Sequence, residues 1–205
     1  MKYFIDMNLP ETFSHYLFDL DNTLYRETDY LFPAFKEIAG IIASKTDRDA
    51  EEMARYLRVE FNQTGRKHLL NKMIEKFSIT DTSITEMLHI MRTVNPGQIR
   101  MYADAYRTLI QLKNKNKKLA VITNGTVQQQ KNKINHIEWG DLDGSIEFIF
   151  ADETERKPSP ASLNLYLKNH DLRNDQVVFI GDGVEDERAA SSAKILFIKS
   201  MFKGE

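Results

Sequence analysis

The chain contains no cysteine. That absence excludes a disulfide framework, a zinc ribbon and a thiol nucleophile together, so any metal must be held by oxygen or imidazole ligands. An excess of one charge is also missing. A formal net charge of −2 over 205 residues offers no bulk attraction to polyanions, and no nucleic-acid partner is expected. No apolar run approaches the roughly 20 residues that a membrane span requires. The segment Met1 to Phe13 mixes Lys2, Asp6, Asn8, Pro10 and Glu11 with apolar residues, which is not the pattern of a leader peptide. A soluble, cytoplasmic protein without a membrane partner is the expectation.

What remains is ordinary globular material, 41% hydrophobic and 28% charged, in a length that suits one domain or a core with one insertion. Short apolar runs end at Gly, Asn, Asp or Thr: Tyr16 to Phe18, Leu119 to Ile122, Phe148 to Phe150, Val177 to Ile180 and Ile195 to Ile198. They read as buried strands. Segments of helical period lie between the later ones, including Pro160 to His170 with Ser159 as its capping residue. Alternation of strand and helix predicts an α/β fold with a parallel sheet covered on both faces. From Arg26 to Asn95 no strand pattern is present, and Ser83 with Glu86 has capping-box spacing. The division is therefore a core of residues 1–25 and 96–205, with a helical insertion at 26–95 that ends at the break Asn95-Pro96-Gly97. The basic run Lys113 to Lys118 is expected to end a helix and stay in water.

Four stretches carry chemistry. Asp19 and Asp21 leave the first strand two residues apart, at the strand end where open α/β sheets bind ligands. Thr123-Asn124-Gly125 follows the second strand and offers hydroxyl and backbone N–H donors to a phosphate oxygen. Lys157 stands beside Pro158 in a stiffened loop, where a fixed cation could offset charge on a phosphoryl group. Asp182 and Asp186 follow Gly181 at the end of a buried strand, and oxygen donors of this kind suit a hard cation such as Mg2+.

In that order, these residues resemble the four motifs of the haloacid dehalogenase superfamily, over a span from Tyr16 to about Ala190. The resemblance implies a Rossmann-like core with an inserted helical cap subdomain. It implies a phosphatase in which Asp19 attacks phosphorus and Asp21 first protonates the leaving oxygen, then activates water. Thr123 and Asn124 would bind the phosphoryl group with Lys157, and Mg2+ would be held by Asp19, the Asp21 carbonyl, Asp182 and Asp186. The substrate would be a small phosphorylated metabolite, and the run Asp21 to Arg26 leans toward a nucleotide or sugar phosphate. A phosphomutase and a catalytically silent homologue remain open alternatives at this stage. Gly183 stands where many relatives have Ser, and the end after Ile198 is short. In the insertion, Gln63, Arg66, Lys67 and His68 are in range of a substrate, although a solvated helix face is the expected account of them.

Overall fold

Strands β1 (His15–Phe18), β2 (Lys118–Thr123), β3 (Ile146–Phe150), β4 (Val177–Gly181) and β5 (Leu196–Lys199) form one parallel sheet in the order β3-β2-β1-β4-β5. They are seen in a computed structural model that describes residues 9–202. The leader reading of Met1 to Phe13 falls mostly outside these residues. All five expected strands are present, and their ends differ from the apolar runs by at most two residues. β1, β2 and β4 are buried along nearly their whole length. β3 and β5, expected as buried, are only partly so. They are the two edges of the sheet, each with one neighbouring strand instead of two. No strand follows β5 among the described residues.

Alternation along the strands divides the core into two halves. Tyr16 and Phe18 of β1 pack with one set of residues, and Leu17 between them packs with the other. The first half is covered by α5 (Ala103–Asn114) and by the inserted helices α1 (Thr28–Lys45), α2 (Ala50–Thr64), α3 (Leu69–Phe77) and α4 (Ile84–Thr93). The second half is covered by α7 (Ala161–Asn169) and α8 (Val184–Ser192). The remaining helix, α6 (Val127–His136), follows β2.

Between β1 and α5 the chain forms four helices joined by short loops, with no strand among the described residues. In α1, Leu31, Phe35, Ile38 and Ile42 recur at helical spacing and are buried. The capping box opens α4 as expected: Glu86 N–H donates to Ser83 Oγ at 3.2 Å, and Ser83 N–H donates to the Glu86 carboxylate at 2.7 Å. After α4 the chain breaks where Gly97 N–H donates to Asn95 Oδ1 at 2.9 Å. Ser159 Oγ accepts from Ala161 N–H at 3.3 Å, and α7 begins at Ala161 rather than at Pro160. The basic run ends α5 and stays largely in water, as expected, and its lysines also make contacts. Lys115 pairs with the Glu11 carboxylate, Lys113 donates to the Asp141 carbonyl, and Lys117 donates to the carbonyls of Glu11 and Phe13 at 2.7 and 2.8 Å. These lysines fasten the segment before β1 and the loop after α6, because carbonyls at those chain ends have no strand partner to meet them. No helix among the described residues is long and apolar enough to cross a membrane.

Candidate active site

Parallel pairing sets the site. Phe18 lies opposite both Val121 and Ile180, so the residues just past β1, β2 and β4 leave the sheet side by side at its carboxyl edge. Asp19 and Asp182 follow β1 and β4 directly, Thr123 is the last residue of β2, and Asp19 N–H donates to Ile180 O at 2.8 Å. The Asp19-Leu20-Asp21-Asn22 stretch then turns sharply. Asn22 takes φ 58°, a left-handed conformation that asparagine tolerates, and its side chain binds Glu27 through both amide atoms.

Lys157 reaches the same point from the loop before α7. Its ammonium donates to Asp19 Oδ1 at 2.5 Å, to Asp186 Oδ1 at 2.6 Å and to Ile122 O at 3.0 Å, so its three protons have three acceptors. Its loop is held by Asn124, whose amide oxygen accepts from Lys157 N–H at 2.8 Å while its NH2 donates to Lys157 O at 2.9 Å. The Asn124 side chain therefore positions the lysine. Thr123 Oγ1 donates to Gln130 Oε1 at 3.1 Å, and that buried glutamine fixes the hydroxyl's direction.

Oxygens of Asp19, Asp182 and Asp186 lie within 4.8 Å of one another. Asp19 and Asp186 are buried, while Asp182 is exposed and accepts from Thr23 Oγ1 at 3.3 Å. Three carboxylates thus face one ammonium, which leaves negative charge uncompensated. Burial, strengthened by Asp186 and Asp21 against the opposing pull of Lys157, pushes the Asp19 carboxyl up to about 7. Burial and Asp186 also raise Asp182. The donor set is all hard oxygen and short of positive charge, so it fits Mg2+. Asp21 contributes no side chain to this group.

Asp21 has its own surroundings instead. Lys133 Nζ donates to Asp21 Oδ2 at 2.5 Å, Tyr25 Oη donates to Oδ1 at 2.5 Å, and Arg66 lies 4.0 Å away. Burial acts to raise this carboxyl, but Lys133 and Arg66 outweigh it and hold it below the ordinary range. Lys133 is fully buried on α6, where burial lowers its affinity for a proton and Asp21 partly restores it. Lys133 and Tyr25 were not singled out by sequence reasoning, and Arg66 was assigned to solvent. A signal for Lys133 existed. The α6 sequence Val127-Gln-Gln-Gln-Lys-Asn-Lys-Ile-Asn-His is mostly polar, and Gln130 and Lys133, three residues apart, form its buried face. A helix that follows a polar strand end and lacks an apolar stripe has to bury polar groups against that site. Gln63, Lys67 and His68 remain exposed.

Asp19, Asp21, Thr123, Lys157, Asp182 and Asp186 line a hollow of 260 Å³, with Arg66 also in its wall. A larger hollow, 750 Å³, lies at Trp139 and Phe148 along the β3 edge and contains none of the four motifs, so chemistry rather than size selects the smaller one.

The family model described as haloacid dehalogenase-like hydrolase matches residues 16–199. The chain belongs to that family. It is 29% identical over 182 residues to the enolase-phosphatase of Persephonella marina, covering 83% of this chain and 79% of that relative. The glyceraldehyde 3-phosphate phosphatase of Methanocaldococcus jannaschii is also 29% identical over 182 residues, covering 83% and 77%. Among solved structures, CbbY of Rhodobacter sphaeroides in complex with xylulose-(1,5)bisphosphate superposes with a TM-score of 0.61 at 22% identity, over 91% of this chain and 85% of that one. A dehalogenase with an intermediate complex gives 0.60 at 16% identity, over 96% and 88%. These structural likenesses establish the haloacid dehalogenase-like fold.

Proposed function

We propose that the chain is a Mg2+-dependent phosphatase that releases phosphate from a small phosphorylated metabolite through an aspartyl-phosphate on Asp19. The observation behind this reading is the single ammonium of Lys157 set against the carboxylates of Asp19, Asp182 and Asp186 at one sheet edge. The phosphatase names of the two curated relatives agree with it. Asp19, Asp182, Asp186 and the Asp21 carbonyl would hold the ion, which supplies positive charge to the phosphoryl oxygens when bound.

The chain's own groups do the rest. Lys157 holds Asp19 Oδ1, leaving the other oxygen to attack phosphorus as the bond from phosphorus to the leaving oxygen breaks. That oxygen takes a proton from Asp21, and the alcohol departs. Lys133 and Arg66 hold free Asp21 as a carboxylate, but an entering phosphate dianion adds negative charge beside it and raises its proton affinity. Once the alcohol leaves, the Asp21 carboxylate removes a proton from water. The hydroxide attacks phosphorus, freeing inorganic phosphate and regenerating Asp19. The Thr123 hydroxyl turns its one proton from Gln130 Oε1 to a phosphoryl oxygen when substrate enters, and Asn124 serves by fixing Lys157. In this reading residues 26–95 are the cap that closes over the core of residues 1–25 and 96–205.

The test is phosphate release from para-nitrophenyl phosphate and a phosphoester panel. Activity is expected with Mg2+, is lost with EDTA, and is abolished in Asp19→Asn while circular dichroism stays unchanged. Turnover by Asp19→Asn at a rate near the parent's would remove Asp19 as nucleophile.

A further inference from the structure

A second cavity, 230 Å³ in volume, lies where the inserted helices meet the core. Its apolar wall includes Leu31 and Phe35 of α1, Leu69 of α3 and Met91 of α4. Three arginines also line it, Arg66, Arg92 and Arg156, and no carboxylate does. Arg66 lines the 260 Å³ hollow as well, so the two spaces meet at this side chain. Gly125 and Thr126 of the cavity directly follow Thr123 and Asn124 of the site in sequence, and Arg156 precedes Lys157.

The cavity is built into the fold. Gln129 Nε2 donates to Met91 O at 2.9 Å, and Asn132 Nδ2 donates to Val94 O at 2.8 Å and to Tyr30 Oη at 3.0 Å. These bonds tie α6 of the core to α1 and the end of α4. The arginines differ in their partners. Arg66 pairs with Glu27, and Arg156 pairs with Asp152 at 2.5 Å, whereas Arg92 has no ion pair among the described residues. An apolar wall with an excess of guanidinium charge is suited to a ligand that is apolar along one side and anionic at its end.

We infer that this cavity receives the leaving group, and that the preferred substrate is a phosphomonoester whose short carbon skeleton carries a second anionic group for Arg92 and its neighbours. The inference rests on the phosphatase reading and specifies its substrate class. The geometry gives the two ends of such a molecule separate places. The transferred phosphoryl group meets Lys157 and Asp19, the carbon skeleton passes Arg66, and the far anion ends among guanidinium groups away from the carboxylates of the site.

The test compares kcat/KM for matched phosphomonoesters of equal chain length whose far end is a hydroxyl, a carboxylate or a second phosphate. An advantage of about tenfold or more is expected for the anionic esters, the size of one charge-assisted contact. The larger of the two advantages tells which anion the cavity takes. Arg92→Gln is expected to reduce that ratio about tenfold, mainly through KM of the anionic ester, and Arg92→Lys to restore part of it. A parent enzyme that turns over para-nitrophenyl phosphate yet treats charged and uncharged esters alike would overturn the inference. So would an Arg92→Gln variant with an unchanged ratio. Absence of phosphate release from every ester would instead defeat the phosphatase reading, and the inference with it.

Discussion

Asp19 and Asp21 stand two residues apart, and their surroundings push them in opposite directions. Asp19 shares one ammonium with two further carboxylates and is raised to about 7. Asp21 is held below its ordinary range by Lys133 and Arg66 against the effect of burial. For Asp19 the consequence for stability is direct, since a carboxyl raised in the folded state favours folding when protonated. Its contribution is fully present in acid, below the unfolded value, and is lost as pH rises through about 7. In metal-free protein, Asp19→Asn has no charge to bury and is expected to melt above the parent near pH 8, with the gap closing near pH 5. Thermal denaturation at the two values measures it, and a gap that widens in acid would contradict the stated environment of Asp19. Lys133 is the corresponding residue for Asp21. It and Tyr25 each hold one carboxylate oxygen, so Lys133→Met frees the carboxyl to swing toward Arg66. The expected loss in kcat/KM is about a hundredfold for an alkyl phosphate, the scale of general acid catalysis, and much smaller for para-nitrophenyl phosphate, whose leaving group needs little protonation. Equal losses on both substrates would leave Lys133 a structural role only.

At the scale of the element, α8 and α6 show which parts of the site sequence could reveal. A buried strand ending in Gly181-Asp182, with Asp186 four residues on, is enough to place both carboxylates near the strand end, because register and helix spacing are local rules. The close approach behind them is not visible in the pattern. A Cβ on Gly181 would lie 2.5 Å from Asp186 Oδ2, so glycine is what lets that carboxylate reach Asp19 and Lys157. Gly181→Ala is expected to displace Asp186 and weaken Mg2+ binding about tenfold or more, as disturbed metal surroundings do. Calorimetric titration checks this, and unchanged affinity would detach Asp186 from the ion. The contacts of α6 were less accessible still, since Lys133 meets Asp21 across 112 residues of sequence. No local pattern encodes such a pair. Arg66 was hidden for a similar reason: its loop reads as solvated, and only the packing of α2 on α1 and of α3 on α2 turns it toward Glu27 and Asp21. Edge strands β3 and β5 show the same limit, because an apolar run does not state how many neighbours its strand will have.

Across the whole molecule, charge is partitioned between the two sides of one hollow. On the Asp21 side, Lys133 and Arg66 outnumber the carboxylate, with Glu27 drawing on Arg66. On the Asp19 side, three carboxylates face Lys157 alone. The sheet cannot relieve that excess, since register fixes Asp19 and leads directly into Asp182, while Asp186 is locked by its bond from Gly183 N–H at 3.1 Å. A divalent cation can relieve it, and whatever binds only the folded state raises the melting temperature. Protons compete for the same oxygens, because Asp19 and Asp182 are both raised. The stabilisation by Mg2+ is therefore expected to be larger near pH 8 than near pH 5, where protons already neutralise part of the excess. Replacing Asp182 by Asn removes one donor and one negative charge without touching the buried contacts of Lys157. That variant is expected to be less sensitive to pH when metal-free and to lose most of the Mg2+ shift. Equal Mg2+ shifts in parent and Asp182→Asn at both pH values would show that the excess charge on this side is met by something other than the ion.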